Sequence, residues 1–195
     1  MSFILGLLVA AKGIALAVGI VFSGSSPVTV SSPRLTLTDD KILLSCRLSN
    51  AFNDELSKLA ASGTEIPLYL MVETRGDDGV VERAAVQRTL VFDILQGRFL
   101  LLAHPPPDTA RFSSRDSALA AFTRFNNVPA LSLEKIQPRG RYSFVIYAIL
   151  GKTRVEALEG GSLDLMYYWR YRRPLIKTEP FRGSELLKVK LRSGS

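Results

Sequence analysis

"IPLYLMVETRGDDGVVERAAVQRTLVFDIL", residues 66–95, holds two strand-like runs joined by a short polar turn. The first run, Ile66 to Arg75, is apolar, and Pro67 lies near its start, where a missing N–H is tolerated. Gly76 to Gly79 is a turn, so the second run, Val80 to Leu95, is expected to fold back on the first. The "VQRTLVFDIL" part of the second run alternates as a half-buried strand does. The stretch therefore predicts an antiparallel β-hairpin.

Further strands are indicated on both sides of this hairpin. They are "KILLSCRL" (41–48), "RFLLLA" (98–103) after the turn at Gln96-Gly97, "YSFVIYAIL" (142–150) after the turn "PRGR", and two more strands within 153–171, split at Gly160-Gly161. A Ser/Pro-rich linker, residues 25–33, is expected to lead into a first strand. The run "HPPPD" (104–108) is expected to form a stiff, extended loop.

Two short helices are also predicted. The first covers residues 52–61, with Asn50 as its N-cap and Gly63 as its stop. The second covers residues 114–125, capped by Ser113 or Ser114, and its core face is marked by Leu119, Phe122 and Phe125. About eight strands without regular strand–helix alternation favour a mostly β (α+β) fold, an antiparallel β-sandwich-like domain with two short helices.

The N-terminal segment bears on location. Residues 3–22 are apolar except for Lys12, which is costly at the middle of a bilayer span. If Lys12 instead closes a positive region, residues 13–22 form the apolar part of a signal peptide and Ser23-Gly24-Ser25 offers small residues for cleavage. A cleaved signal peptide, an uncleaved membrane anchor and a buried helix all remain open. The first two place the domain outside the cytoplasm, in the periplasm or attached to the inner membrane.

Three segments follow from this division. Residues 1–25 are the signal peptide or membrane anchor, residues 26–182 the β-rich domain and residues 183–195 a basic C-terminal tail. The net charge is +7, and residues 170–195 hold eight of the basic residues against two acidic ones. A basic end implies attraction to an anionic partner such as lipid headgroups, an acidic protein or nucleic acid.

The densest cluster of aromatic and basic residues is "YYWRYRR", residues 167–173. Alternation along a strand gives an apolar face with Leu163, Leu165, Tyr167, Trp169 and Tyr171. It turns Tyr168, Arg170 and Arg172 outward. We therefore expect a half-buried strand with Trp169 in the core. The outward stripe is expected to face a protein, lipid headgroups or solvent alone. Nucleic-acid binding is disfavoured because most of the aromatic residues lie on the other face.

Motifs for catalysis or metal binding are missing from the sequence. His104 is the single histidine, and no G-x-S-x-G motif accompanies it, so a Ser-His-Asp triad is not expected. Asp77-Asp78 lacks the spacing of a calcium loop, and "GKT" at 151–153 lacks the upstream glycine of a phosphate loop. Cys46 is expected to be a buried strand residue, because "TDDK" precedes "LLSC" where a lipidation signal needs an apolar run. No catalytic residue, cofactor, metal or small-molecule substrate is predicted.

Four blocks together resemble a bacterial family, the domain of unknown function 4390. They begin with "LSCRLSNAFNDELSKLAASGTEIPLYLMVETR" (44–75) and "RTLVFDILQGRFLLL" (88–102). They continue with "SSRDSALAAFTRFNNVPALSLEKIQPRGRYSFVIYAIL" (113–150) and "YYWRYRRPLIKTEPF" (167–181). The resemblance implies an exported or membrane-anchored envelope protein without assigned activity, so no functional residues can be carried over from it.

The leading hypothesis is a non-enzymatic, exported or membrane-anchored envelope protein that binds another envelope protein. The alternative is a peripheral membrane-surface module whose basic C-terminal segment binds anionic lipid. An enzyme acting on an envelope polymer is the least favoured hypothesis. The candidate interaction surface consists of Tyr168, Arg170, Arg172, Arg173, Lys188, Lys190 and Arg192.

Overall fold

The computed structural model describes residues 28–154, 161–185 and 187. Its α-helices are α1 (Asp54–Ala61) and α2 (Arg115–Thr123), and 3₁₀ helices cover Leu133–Lys135 and Leu165–Trp169. Its strands are β1 (Thr29–Leu37), β2 (Lys41–Ser49), β3 (Ile66–Gly76), β4 (Gly79–Asp93), β5 (Arg98–His104), β6 (Asp108–Phe112), β7 (Arg124–Ser132), β8 (Arg141–Leu150), β9 (Lys152–Arg154), β10 (Ser162–Asp164), β11 (Leu175–Lys177) and β12 (Phe181–Arg182).

The large sheet is built around the predicted hairpin. β3 pairs with β4 from Ile66↔Leu90 to Gly76↔Gly79, which confirms the antiparallel hairpin. β8 pairs with the other edge of β3, and the strand order is β11-β8-β3-β4-β5-β6, with β12 also on β8. Every pairing in this sheet is antiparallel.

A small sheet, β1-β2-β7, packs on one face of the large sheet. Strand alternation sends one set of β3 side chains into the space between the sheets. Of this set, Ile66, Leu68, Leu70 and Val72 are fully buried. The buried Thr74 Oγ1 donates to the Ala130 carbonyl oxygen at 2.6 Å and so ties the two sheets together. The predicted mostly antiparallel, sandwich-like β fold is confirmed.

Both predicted helices are present, with shifted boundaries. α1 begins at Asp54, because Asn53 and not Asn50 is its N-cap: the Asn53 side chain accepts from the Leu56 N–H. Asn50 instead adopts positive φ in the loop after β2. α2 is capped by Ser114, one of the two predicted residues, but it ends at Thr123. Phe125 is therefore buried from β7 and not from the helix.

Several strand predictions need correction. The structure has more strands than expected, and β6 and β7 were missed because "DTARF" and "RFNNVPALS" lack clear alternation. "HPPPD" is not an extended loop: β5 ends at His104 and β6 starts at Asp108, so the prolines form a tight turn. β1 already includes residues 29–33, which were expected to be a linker.

The sandwich has two distinct ends. At the near end, β1 begins with Thr29 paired to Ser49 of β2, and the β4–β5 turn carries Ile94 and Leu95. At the far end lies the β3–β4 turn with Asp77 and Asp78. The 3₁₀ helix Leu133–Lys135 also lies at the far end. Among the helices of the described ranges, none combines the length and apolar character needed to cross a membrane.

Candidate interaction surface

Residues 162–173 do not form the predicted half-buried strand. Only Ser162–Asp164 is a strand, and it pairs with β9. The chain then forms the 3₁₀ helix Leu165–Trp169. Asp164 caps this helix, because its side chain accepts a hydrogen bond from the Met166 N–H at 3.0 Å. Arg170 and Tyr171 follow with φ of 52° and 56°, a left-handed conformation that ends the helix. Local capping and turn formation therefore override the alternating pattern.

Trp169 anchors this segment in the core, as expected. Its side chain is 2% exposed. Its indole Nε1 donates to the Ala51 carbonyl oxygen at 2.9 Å, which satisfies the one polar atom of a buried tryptophan. The Asn53 side chain donates to the Tyr168 carbonyl oxygen at 3.3 Å, so the N-terminus of α1 holds the same segment. The anchor places residues 167–173 at the near end.

The helical turn exposes side chains that a strand would have buried. Tyr167 and Tyr171 are 61% and 64% exposed, although both were expected on the core face. Tyr168 is half-buried, and its ring meets Tyr167 edge-on at 5.6 Å between centroids. The three arginines of this segment are exposed, as expected. We call these side chains the aromatic–arginine surface: Tyr167, Tyr168, Arg170, Tyr171, Arg172 and Arg173.

The described residues after position 173 lead away from the aromatic–arginine surface. After residue 173 the chain runs along β8, where Pro174 accepts from the Ala148 N–H and Arg182 pairs with Arg141 at the far end. Seven residues of β8 separate these points, about 23 Å at 3.3 Å per residue. Lys188, Lys190 and Arg192 lie outside the described residues, and the chain reaches them through Leu187, beside Asp39 and Asp40. The aromatic–arginine surface and the start of the tail are therefore at opposite ends.

The residues weighed for catalysis lie apart from each other. His104 is exposed at the end of β5 and faces Gln87 of β4. Asp77 accepts from the Arg141 backbone N–H at 3.1 Å, a turn contact. "GKT" contributes Lys152 and Thr153 to β9. Within the part of the chain that the structure describes, no three His, Cys, Asp or Glu side chains are grouped so as to hold a metal ion.

Arg88 is a half-buried cation that sequence reasoning missed. It lies on the inward face of β4, and its Nη1 group donates to the carbonyl oxygens of Ala121 (2.6 Å), Phe122 (3.3 Å) and Arg124 at the end of α2. Its guanidinium also lies 4.3 Å from the centre of the Phe125 ring. A cation at a helix C-terminus complements the helix dipole, so Arg88 secures α2 to the large sheet. Burial lowers the pKa of Arg88.

Cys46 is buried on β2, as expected. Burial raises the pKa of its thiol to about 12, and the nearby Arg88 guanidinium opposes this only in part. The thiol is therefore protonated at neutral pH. Such a thiol is inert as a nucleophile.

Comparison with known proteins gives a match to a family model. The sequence model of a family described as "Domain of unknown function (DUF4390)" matches residues 25–155, which include the first three resembling blocks but not residues 167–181. No curated protein and no solved structure matches the chain. The aromatic–arginine surface lies beyond the matched range.

Proposed function

Because the chain belongs to this family of domains of unknown function, we propose its role from its own surfaces: a non-enzymatic interaction module of the bacterial envelope. It binds an envelope protein through the aromatic–arginine surface. The observation that carries the proposal is the exposure of Tyr167 and Tyr171 beside three exposed arginines, all held in place by the buried Trp169.

The composition of this surface favours a protein partner. Tyrosine and arginine are enriched among the residues that contribute most to binding energy at protein interfaces. The surface carries Arg170, Arg172 and Arg173 without an acidic residue between 165 and 178. An acidic partner surface would complement this charge and speed association. The Trp169 anchor reduces the entropy lost when the loop is immobilised on binding.

The proposed location of the module rests on the N-terminal sequence. Residues 3–22 form an apolar segment broken only by Lys12, which favours export or anchoring at the inner membrane. The proposed partner is therefore an extracytoplasmic protein or the extracytoplasmic part of a membrane protein.

Photo-crosslinking in the native cells tests the proposal. A photoreactive amino acid replaces Tyr171 in the full chain, and the same replacement at Asp78, an exposed residue at the far end, serves as the matched control. We expect one dominant protein adduct from position 171 and no such adduct from position 78. Position 171 yielding no protein adduct, or yielding the same adducts as position 78, would contradict the proposal.

Anionic lipid binding through the basic C-terminal segment is the alternative. Because residue 187 and the aromatic–arginine surface lie at opposite ends, deletion of residues 188–195 separates the two hypotheses. A protein adduct at position 171 that survives the deletion supports the protein-binding module. Salt-sensitive membrane attachment that disappears with the deletion supports the alternative.

A further inference from the structure

We propose that the β4–β5 turn inserts Ile94 and Leu95 into the lipid surface of an anionic membrane, with the near end of the sandwich facing the bilayer. The turn lies beside the aromatic–arginine surface at the near end, and the inference concerns a different kind of partner from the protein-binding proposal. It adds a second kind of partner, a lipid surface, and an orientation for the domain.

The distribution of exposed apolar side chains is the first observation. In the described ranges, the most exposed large apolar or aromatic side chains are Leu95 (97%), Ile94 (65%), Tyr171 (64%) and Tyr167 (61%), and all four lie at the near end. Single exposed apolar residues are normal on soluble proteins, but a group of them marks an interaction site. Gln96 and Gly97, which complete the turn, are uncharged.

α1 links the two parts of this group. Its N-cap Asn53 bonds the Tyr168 carbonyl oxygen. Just beyond its C-terminus, a Cβ on Gly63 would lie 3.0 Å from Cδ1 of Ile94, so the turn packs against this glycine. Eight helical residues span about 12 Å, so the aromatic–arginine surface and the apolar turn are neighbours on one end of the molecule.

The point at which the N-terminal segment joins the domain is the second observation. β1 begins at the near end, where Thr29 pairs with Ser49, two residues before the Trp169 partner Ala51. The sequence before Val28 contains the apolar residues 3–22. Insertion of that segment into a bilayer, before cleavage or permanently, brings the near end, and not the far end, to the lipid surface.

Charge gives the third observation. Arg170, Arg172 and Arg173 are exposed close together at the near end, whereas the far end exposes both signs, with Asp77 and Asp78 near Arg139 and Arg141. The negative potential of anionic lipids attracts a group of exposed arginines. This attraction adds to the insertion of the apolar turn.

Depth-dependent fluorescence quenching tests this orientation. The full chain carrying Leu95→Cys is labelled with an environment-sensitive thiol probe and reconstituted in vesicles of phosphatidylethanolamine and phosphatidylglycerol, with brominated acyl chains as quenchers. Cys46 is buried and protonated, so the label goes to the introduced cysteine, and the unsubstituted chain checks this selectivity. Asp78→Cys is the matched control at the other end of β4, which spans about 50 Å over 15 residues.

We expect the acyl-chain quenchers to reduce the fluorescence of the probe at position 95 at least about two-fold relative to lipid without bromine, and to leave the probe at position 78 unchanged. Both positions are exposed turn residues, so neither substitution removes a core contact. Quenching at neither position, at both equally, or only at position 78 would overturn the proposal. Because the readout does not involve Tyr171, loss of the protein adduct at that position would leave it unaffected.

Discussion

The two ends of the sandwich are built by the same strands but expose different chemistry. At the far end the β3–β4 turn displays Asp77 and Asp78, and Asp77 is tied back to the Arg141 N–H. At the near end the β4–β5 turn displays Ile94 and Leu95, and a buried tryptophan supports an exposed surface of tyrosines and arginines. A turn only needs residues that permit its backbone, so the apolar side chain of Leu95, which is 97% exposed, is not explained by folding. We therefore propose that the near end serves interaction and that the contacts behind it provide stability.

The largest expected effect is the difference in thiol reactivity between the buried core and the exposed near end. The exposed thiol of Leu95→Cys should react with a maleimide reagent at pH 8 at least about a thousand-fold faster than the thiol of Cys46. The reason is that a pKa of about 12 instead of 9.0 lowers the thiolate fraction of Cys46 by about a thousand-fold. Thiol labelling followed by mass spectrometry, before and after unfolding, measures both rates. Equal rates in the folded chain would show that the core is open.

The same thiol gives stability a pH dependence. The pKa of Cys46 is raised in the folded chain, so its protonated thiol stabilises the fold fully below about pH 9. This contribution to the free energy of unfolding is lost as the pH rises toward 12, because the unfolded chain releases the proton first. A Cys46→Ala chain should lack this part of the pH dependence in urea unfolding.

Substitution of the near-end anchor should cost the most stability. Trp169→Ala removes a fully buried indole and its hydrogen bond to Ala51, and large-to-small changes of this kind cost about 3–5 kcal/mol. Urea unfolding followed by far-UV circular dichroism measures the loss. Trp169→Phe, which keeps most of the volume, should lose less; equal losses would place the stabilisation in the hydrogen bond alone.

Substitution of Arg88 should cause the next largest loss of stability. Arg88→Met keeps an unbranched side chain but leaves the carbonyl oxygens of Ala121, Phe122 and Arg124 without their donor, at an expected cost of about 2–3 kcal/mol. Trp169 fluorescence during urea unfolding reports the change, since Trp169 is the single tryptophan. Arg83→Met, on the exposed face of the same strand, is the control and should lose under about 0.5 kcal/mol.

A smaller effect is expected at the far end. Glu82 accepts from the Ser132 backbone N–H at 2.8 Å and lies 3.5 Å from Lys135 Nζ, so it joins β4 to the end of β7. Glu82→Gln should lower the free energy of unfolding by about 1 kcal/mol, because a charged acceptor is replaced by a neutral one. The same unfolding assay applies, and an unchanged midpoint would show that the ends of the two sheets are held by other contacts.

The smallest stability effect is expected on the proposed binding surface. Tyr171→Ser removes a side chain that is 64% exposed and should change the free energy of unfolding by under about 0.5 kcal/mol. The photo-crosslink formed with a probe at Tyr167 should nevertheless weaken in this chain. A large loss of stability with an intact crosslink would show that Tyr171 serves stability and not binding.

Much of the fold was predictable because it depends on local signals. The hairpin of β3 and β4, the strands β2, β5 and β8 and the Ser114 cap all follow from alternation, turn residues or capping within a few positions. β6 and β7 lack such alternation and become strands through pairing with β5 and β2. The candidate surface was predicted in part: its arginines and the burial of Trp169 were expected, whereas exposed Tyr167 and Tyr171 were not.

The sequence by itself determined the class of fold, the hairpin at its centre, the cation-rich segment 170–195 and the burial of Trp169 and Cys46. The tertiary structure alone decided the conformation of residues 162–173, the role of Arg88 and the distribution of surfaces between two ends. The physical reason is the range of the contacts involved. The Trp169 indole bonds a carbonyl 118 residues away, and Arg88 reaches carbonyls 33 to 36 residues further along the chain. No local pattern contains the partners of such bonds, so they form only when the sheets and helices are in place.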